Sequence, residues 1–160
     1  MPRQPIAPAD PEHETFICDI DVLNALLRGE VAAVETYDLV IPKFEGQPQA
    51  ADLEHIRAEH ADAAEMLRDR VRHFGGDPAE TSGAWGKFTA AVTGAAKMFG
   101  PATALGALKQ GEDHGIGQYE RAVADPEIAT ADKELIRVRL LPRCRCHVAE
   151  LERMIGTVKK

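Results

Sequence analysis

Apolar residues recur along most of the chain in steps of three and four, the spacing that lines one face of an α-helix. The first such stripe is Leu23, Leu26, Leu27, Val34, Tyr37 and Ile41, and Pro42 with the following FEGQPQ stretch ends it. A second stripe, Leu53, Ile56, Ala63, Leu67 and Val71, runs from near Ala51 to about His73 and is closed by Gly75-Gly76. After the loop at 77–83, residues 84–100 are weakly helical, with Trp85, Phe88, Val92 and Phe99 on one side. Pro101 opens a third stripe through Leu105, Leu108, Ile116, Tyr119 and Val123. A fourth, from about Thr130 to Thr157, turns Ile136, Leu140, Leu151 and Ile155 inward, and its internal Pro142 predicts a kink.

Alanine, leucine and glutamate are abundant and aromatics are few, so the expectation is an all-α chain. Four helices of about 22 residues are each about 33 Å long. Short connections within the first and last pairs make two helical hairpins, and the long second-to-third connection fits a crossover containing a short helix. This is the ferritin-like, up-down four-helix bundle arrangement. The bundle is expected over 19–157, with 1–18, rich in proline and charge, as a flexible N-terminal arm.

Four ionisable residues fall in phase with the apolar stripes, one per helix. Glu30 lies seven after Leu23 and four before Val34. Glu112 lies four after Leu108 and seven before Tyr119. His60 lies four after Ile56, and His147 four before Leu151. A charge in such a stripe is costly unless it is paired or bound to metal. The two glutamates also belong to a repeated stretch: ALLRGEVAAVETY (25–37) and ALKQGEDHGIGQY (107–119) share Ala, Leu, Gly, Glu and Tyr in register.

Glu, His, Glu and His converging in a bundle make part of a two-metal carboxylate site. The complete site takes a Glu-x-x-His on each histidine helix. Here Arg57 and Cys144 stand three before the histidines, and Glu59 lies about 100° around the helix from His60. Three states therefore stay open. In one, the core is metal-free and Arg57 pairs with the glutamates. In another, Glu30, His60, Glu112 and His147 hold one Fe, Zn or Mn ion, with Cys144 as a possible soft ligand. In the third, a residual two-iron site acts as an oxidase or peroxidase. Tyr37 and Tyr119, seven after each glutamate, are expected to pack in the core with their hydroxyls satisfied, within reach of the site.

Composition narrows the classes. The net charge of −7 argues against a nucleic-acid partner. No apolar run approaches the roughly 18 residues a membrane span needs, and the N-terminus has no apolar signal core. Cys18, Cys144 and Cys146, an odd and sparse set, read as reduced thiols of a cytoplasmic protein. His55, His73 and His114 are expected at the surface. The 84–99 helix is expected to pack on the bundle or on a second subunit, as in a possible homodimer.

Gly29-Glu30, FGGDPAETSGAWGKF (74–88), KQGEDHGIGQYERAV (109–123) and the His147-x-x-x-Leu151 region together resemble a bacterial ferritin-like four-helix-bundle family known as a domain of unknown function. The resemblance covers about residues 19–157 and implies the ferritin-like fold and a cytoplasmic protein, without an established activity. More distantly, AEHADAAEML (58–67) is similar to the second-helix metal motif of rubrerythrins and bacterioferritins. That likeness implies ligand roles for His60, His147, Glu30 and Glu112, and Arg57 and Cys144 depart from it where those families carry bridging glutamates.

Overall fold

The computed structural model describes the backbone of residues 11–158; side chains are described for 19–158 except 88, 93 and 95–99. The chain forms α1 (Pro11–Val40), α2 (Gln49–His73), α3 (Gly86–Phe99), α4 (Pro101–Ala124), α5 (Thr130–Leu135) and α6 (Leu141–Val158), and no strand is present among the described residues. The all-α expectation holds. The first helix begins at Pro11, so the part of the expected arm at 11–18 is helical in backbone; residues 1–10 and the side chain of Cys18 lie outside the described residues.

Contacts between charged side chains fix how the helices run. Asp38 meets Arg57 and Glu30 meets His60, so α1 and α2 are antiparallel. Asp62 meets Arg143 and Asp52 meets Arg153, so α2 and α6 are antiparallel. Lys109 meets Glu152 and Glu120 meets Arg145, which sets α4 against α6 in the same way. The crossover helix α3 lies against α1 and α4, where Thr36 and Thr89 share a buried hydrogen bond of 3.1 Å. Val92 is buried there and Trp85 is half-buried; the expected inward side chains of Phe88 and Phe99 lie outside the described residues.

Local signals account for the turns between these helices. Gly75 adopts φ 77°, the left-handed conformation that closes α2, and the Gly76 N–H returns to the Val71 carbonyl. Asn24 then pins the loop that follows. Its amide donates to the Asp77 carbonyl at 3.1 Å and its oxygen accepts the Ala79 N–H at 2.8 Å. Just before Pro142, where a kink is expected, the chain makes a π-helical turn, Ile136–Leu140, in which the Leu141 N–H reaches the Ile136 carbonyl. The wider turn lets the neighbouring Leu140 and Leu141 both be buried.

The apolar interior is divided in two. One cluster gathers Leu23, Leu27, Ala64, Leu67, Ile136 and Leu140. The other gathers Val40, Phe44, Leu53, Ile56, Leu105 and Leu151. In α1, α2, α4 and α6, one buried ionisable residue occupies the interval between the clusters: Glu30, His60, Glu112 and His147, with exposures of 6%, 4%, 4% and 2%. The site is the waist of the fold.

Candidate metal centre at the waist of the helices

Helical spacing delivers these side chains, since each lies three or four residues from a buried leucine, isoleucine or alanine on its own helix. His60 sits centrally. Its Nδ1 is 2.7 Å from Glu30 Oε2 and its Nε2 is 2.7 Å from Glu112 Oε1. The other oxygen of Glu112 lies 3.3 Å from His147 Nδ1. His147 Nε2 in turn meets Glu59 Oε2 at 2.8 Å. Carboxylate and imidazole thus alternate in an unbroken series, Glu30, His60, Glu112, His147, Glu59, running from the interior to a half-exposed carboxylate.

The tyrosines complete the series. The Tyr37 hydroxyl donates to Glu112 Oε1 at 2.8 Å, and the Tyr119 hydroxyl donates to Glu30 Oε1. Each copy of the repeated stretch therefore supplies the phenol that serves the other copy's glutamate. Both tyrosines are buried at 2% exposure. Burial, together with the facing carboxylate, pushes both hydroxyls well above their usual range, so they remain donors.

Electrostatics follow from the same contacts. Burial pushes the His60 imidazole down, but Glu112 and Glu30 on its two nitrogens outweigh this and hold it well above the ordinary 6.5, as an imidazolium. Burial pushes the Glu112 carboxyl up, and the charge of His60 with bonds from both histidines carries it well below the usual carboxylate range. The Cys144 thiol, buried at 4% exposure and close to both glutamates, is pushed far up and stays protonated.

Two readings from sequence require correction. Arg57 does not pair with the core glutamates. Its Nε and Nη2 fork onto Asp38 at 2.9 and 3.1 Å, with both side chains well exposed. Three residues before His60 the side chain reaches the α1–α2 rim, where an ion pair forms without the desolvation that a core site would demand. Glu59, set aside as facing away, contributes to the site. A bundled helix has neighbours on its flanks, and a glutamate 100° from the inward direction points at the next helix, here α6 and His147. The signal was available in that flank position and in the length of the side chain.

Of the expected residues, His60, Glu112 and His147 form the group that could hold a metal. Each offers one ligand atom, and the three atoms lie within 4.8 Å of one another. Glu30 adjoins this group through His60. Cys144 lies outside the three-residue group but lines the same cavity as Glu30, His60 and Glu112. His55 and His114 are at the surface, as expected, and His73 is exposed beside Phe74. Among the described residues no helix is long and apolar enough to cross a membrane.

The family model described as "Domain of unknown function (DUF2383)" matches residues 19–125, more than half of the chain, and the chain belongs to that family. The match takes in Glu30, Glu59, His60 and Glu112, while His147 lies beyond it. No curated protein and no solved structure matches the chain.

Proposed function

We propose that this member of the family is a ferritin-like, up-down four-helix bundle that holds one divalent transition metal at its waist, in a reducing cytoplasm. The ligands are His60, Glu112 and His147. The observation that carries the reading is that these three buried residues, from three helices, bring donor atoms within 4.8 Å of one another. Two imidazoles and a carboxylate suit Zn²⁺, Fe²⁺ or Mn²⁺.

The donor set fits a metal for a second reason. A ligating histidine normally gives its other ring N–H to a carboxylate, which fixes the tautomer and the ring orientation. His60 has Glu30 on Nδ1 and Glu112 on Nε2, and His147 has Glu59 on Nε2 and Glu112 on Nδ1. With Glu112 common to both rings, Glu30 and Glu59 serve as the outer carboxylates. The metal would supply Lewis acidity to whatever reaches its remaining coordination position. Tyr37 and Tyr119 hold the carboxylates in place by donating to them.

Anaerobic loading with Fe²⁺, Zn²⁺ or Mn²⁺, followed by desalting and elemental analysis, tests this. About one metal per chain is expected for the wild type and for Arg57→Ala, and a loss in His147→Ala and Glu112→Ala. About two irons per chain with a ferric oxo-type absorbance on admitting oxygen would instead establish the oxidase alternative. No retained metal would leave an ion-paired core, an alternative favoured by the way these side chains already satisfy one another.

A further inference from the structure

Between α1 and α4 lies a cavity of about 60 Å³ that ends on the polar waist. Its walls include Leu26, Ala32, Ala33 and Leu108, with Gly29, Gly111 and Gly115 beside them. Its floor is Glu30, Tyr37, His60, Glu112, Tyr119 and Cys144. We propose that this cavity is a binding site for one small uncharged molecule of no more than about four non-hydrogen atoms, which enters between α1 and α4 and stops against the Glu112–His60 face. What the guest meets at the floor rests on the metal reading; the cavity itself is a feature of the metal-free chain.

Size sets the first limit. A single ordered water needs about 10–15 Å³ on the same measure, and an apolar cavity of about 150 Å³ takes benzene, so this one suits guests between those two. Charge sets the second. The apolar walls would strip a hydrated anion or cation of its water without replacing it. A neutral guest does not face that cost.

The glycines make the opening. A Cβ on Gly115 would meet nothing within 4 Å, so the space beside it is free and no packing demand explains the glycine. Glycine inside a helix is otherwise a liability. A Cβ on Gly29 would come to 3.4 Å from Gln118 Oε1, and Gln118 also lines the cavity. Trp85 also lines the cavity, from the 3-10 turn Gly83–Trp85, and its ring stands edge-on to His114 at 4.7 Å between centroids.

Xenon is the direct probe, because it is neutral and compact. Crystals of the metal-free protein pressurised with xenon should show one xenon between α1 and α4. Gly115→Leu, which fills the free space and improves helix propensity, should keep the melting temperature and lower xenon occupancy at least about tenfold. Unchanged occupancy in that variant, or no xenon in the wild type, overturns the proposal. Ferrous-loaded protein then separates the two readings. Nitric oxide should bind the iron, with the rate falling in Gly115→Leu, while azide at equal concentration should not. Azide binding as fast as nitric oxide overturns the selection of uncharged guests. Xenon bound in a protein that takes up no iron upholds the cavity and defeats the metal.

Discussion

Tyr37 and Glu112 stand on different copies of the repeated stretch, and the tyrosine hydroxyl donates to the carboxylate at 2.8 Å across the interior. Tyr119 returns the same bond to Glu30. The exchange ties α1 to α4 and leaves each glutamate with an oxygen accepting from a phenol while His60 holds both. A pair of buried carboxylates is tolerated here because two phenol donors and three imidazole nitrogens are turned toward them.

Removing either phenol deletes one hydrogen bond to a buried charged acceptor. Tyr37→Phe and Tyr119→Phe should each lower unfolding free energy by about 1.5–3 kcal/mol, measured in denaturant on metal-free protein. Because the bonds are reciprocal, the two costs should be similar. A loss under about 0.5 kcal/mol in either variant would mean that the hydroxyl is not engaged.

The chelated protein should be most stable between pH 4.5 and 6.5, the ordinary values of the two groups that shift most clearly in opposite directions. His60 is raised, so its contribution is complete below 6.5 and is lost as pH climbs through its higher folded value. Glu112 is lowered, so its contribution is complete above 4.5 and is lost as pH falls through its lower folded value. Thermal melts from pH 3 to pH 10 read both limbs. The alkaline limb should disappear in His60→Ala.

Arg57 and Glu59 reverse the roles that their positions on α2 first indicate. Arg57→Ala removes a surface pair and should cost under about 1 kcal/mol, with metal uptake intact. Glu59→Gln leaves ligands in place but weakens the hold on His147, and should lower metal affinity about 10–100-fold, read by competition with a coloured chelator. An Arg57 variant that loses several kcal/mol would restore that residue to the core.

A second buried acidic pair lies where α1, α2 and α5 meet. Asp19 and Asp132 are both fully buried, each with one oxygen bonded (to the Ala129 N–H and to Arg70) and the other without a partner among the described residues. Burial raises the Asp19 carboxyl above its ordinary value, so its ionised form costs stability at neutral pH and the cost is relieved as pH falls. Asp19→Asn should therefore stabilise the protein by about 1 kcal/mol at pH 7, and the gain should shrink toward pH 4. A lower melting temperature at pH 7 would show that the charge is used.

The helices were legible because their stripes are regular, and the four waist residues because each interrupts a stripe in phase. Contacts made across flanks were not. Whether Arg57 turns inward or reaches Asp38 depends on where α1 lies relative to α2, and Glu59 acquires meaning only once α6 is beside it. The π-helical turn before Pro142 could be expected only as a kink, since proline removes an N–H without dictating how the preceding carbonyls regroup. The tyrosine exchange was half visible: the repeat paired each tyrosine with a glutamate, but on its own helix rather than on the opposite one.

Diffraction at the zinc absorption edge from crystals of zinc-loaded protein tests the central claim most directly. One anomalous peak per chain should lie among His60, Glu112 and His147, with Glu30 and Glu59 on the far nitrogens of the two rings. No peak at the waist, or one only on surface carboxylates, would contradict it.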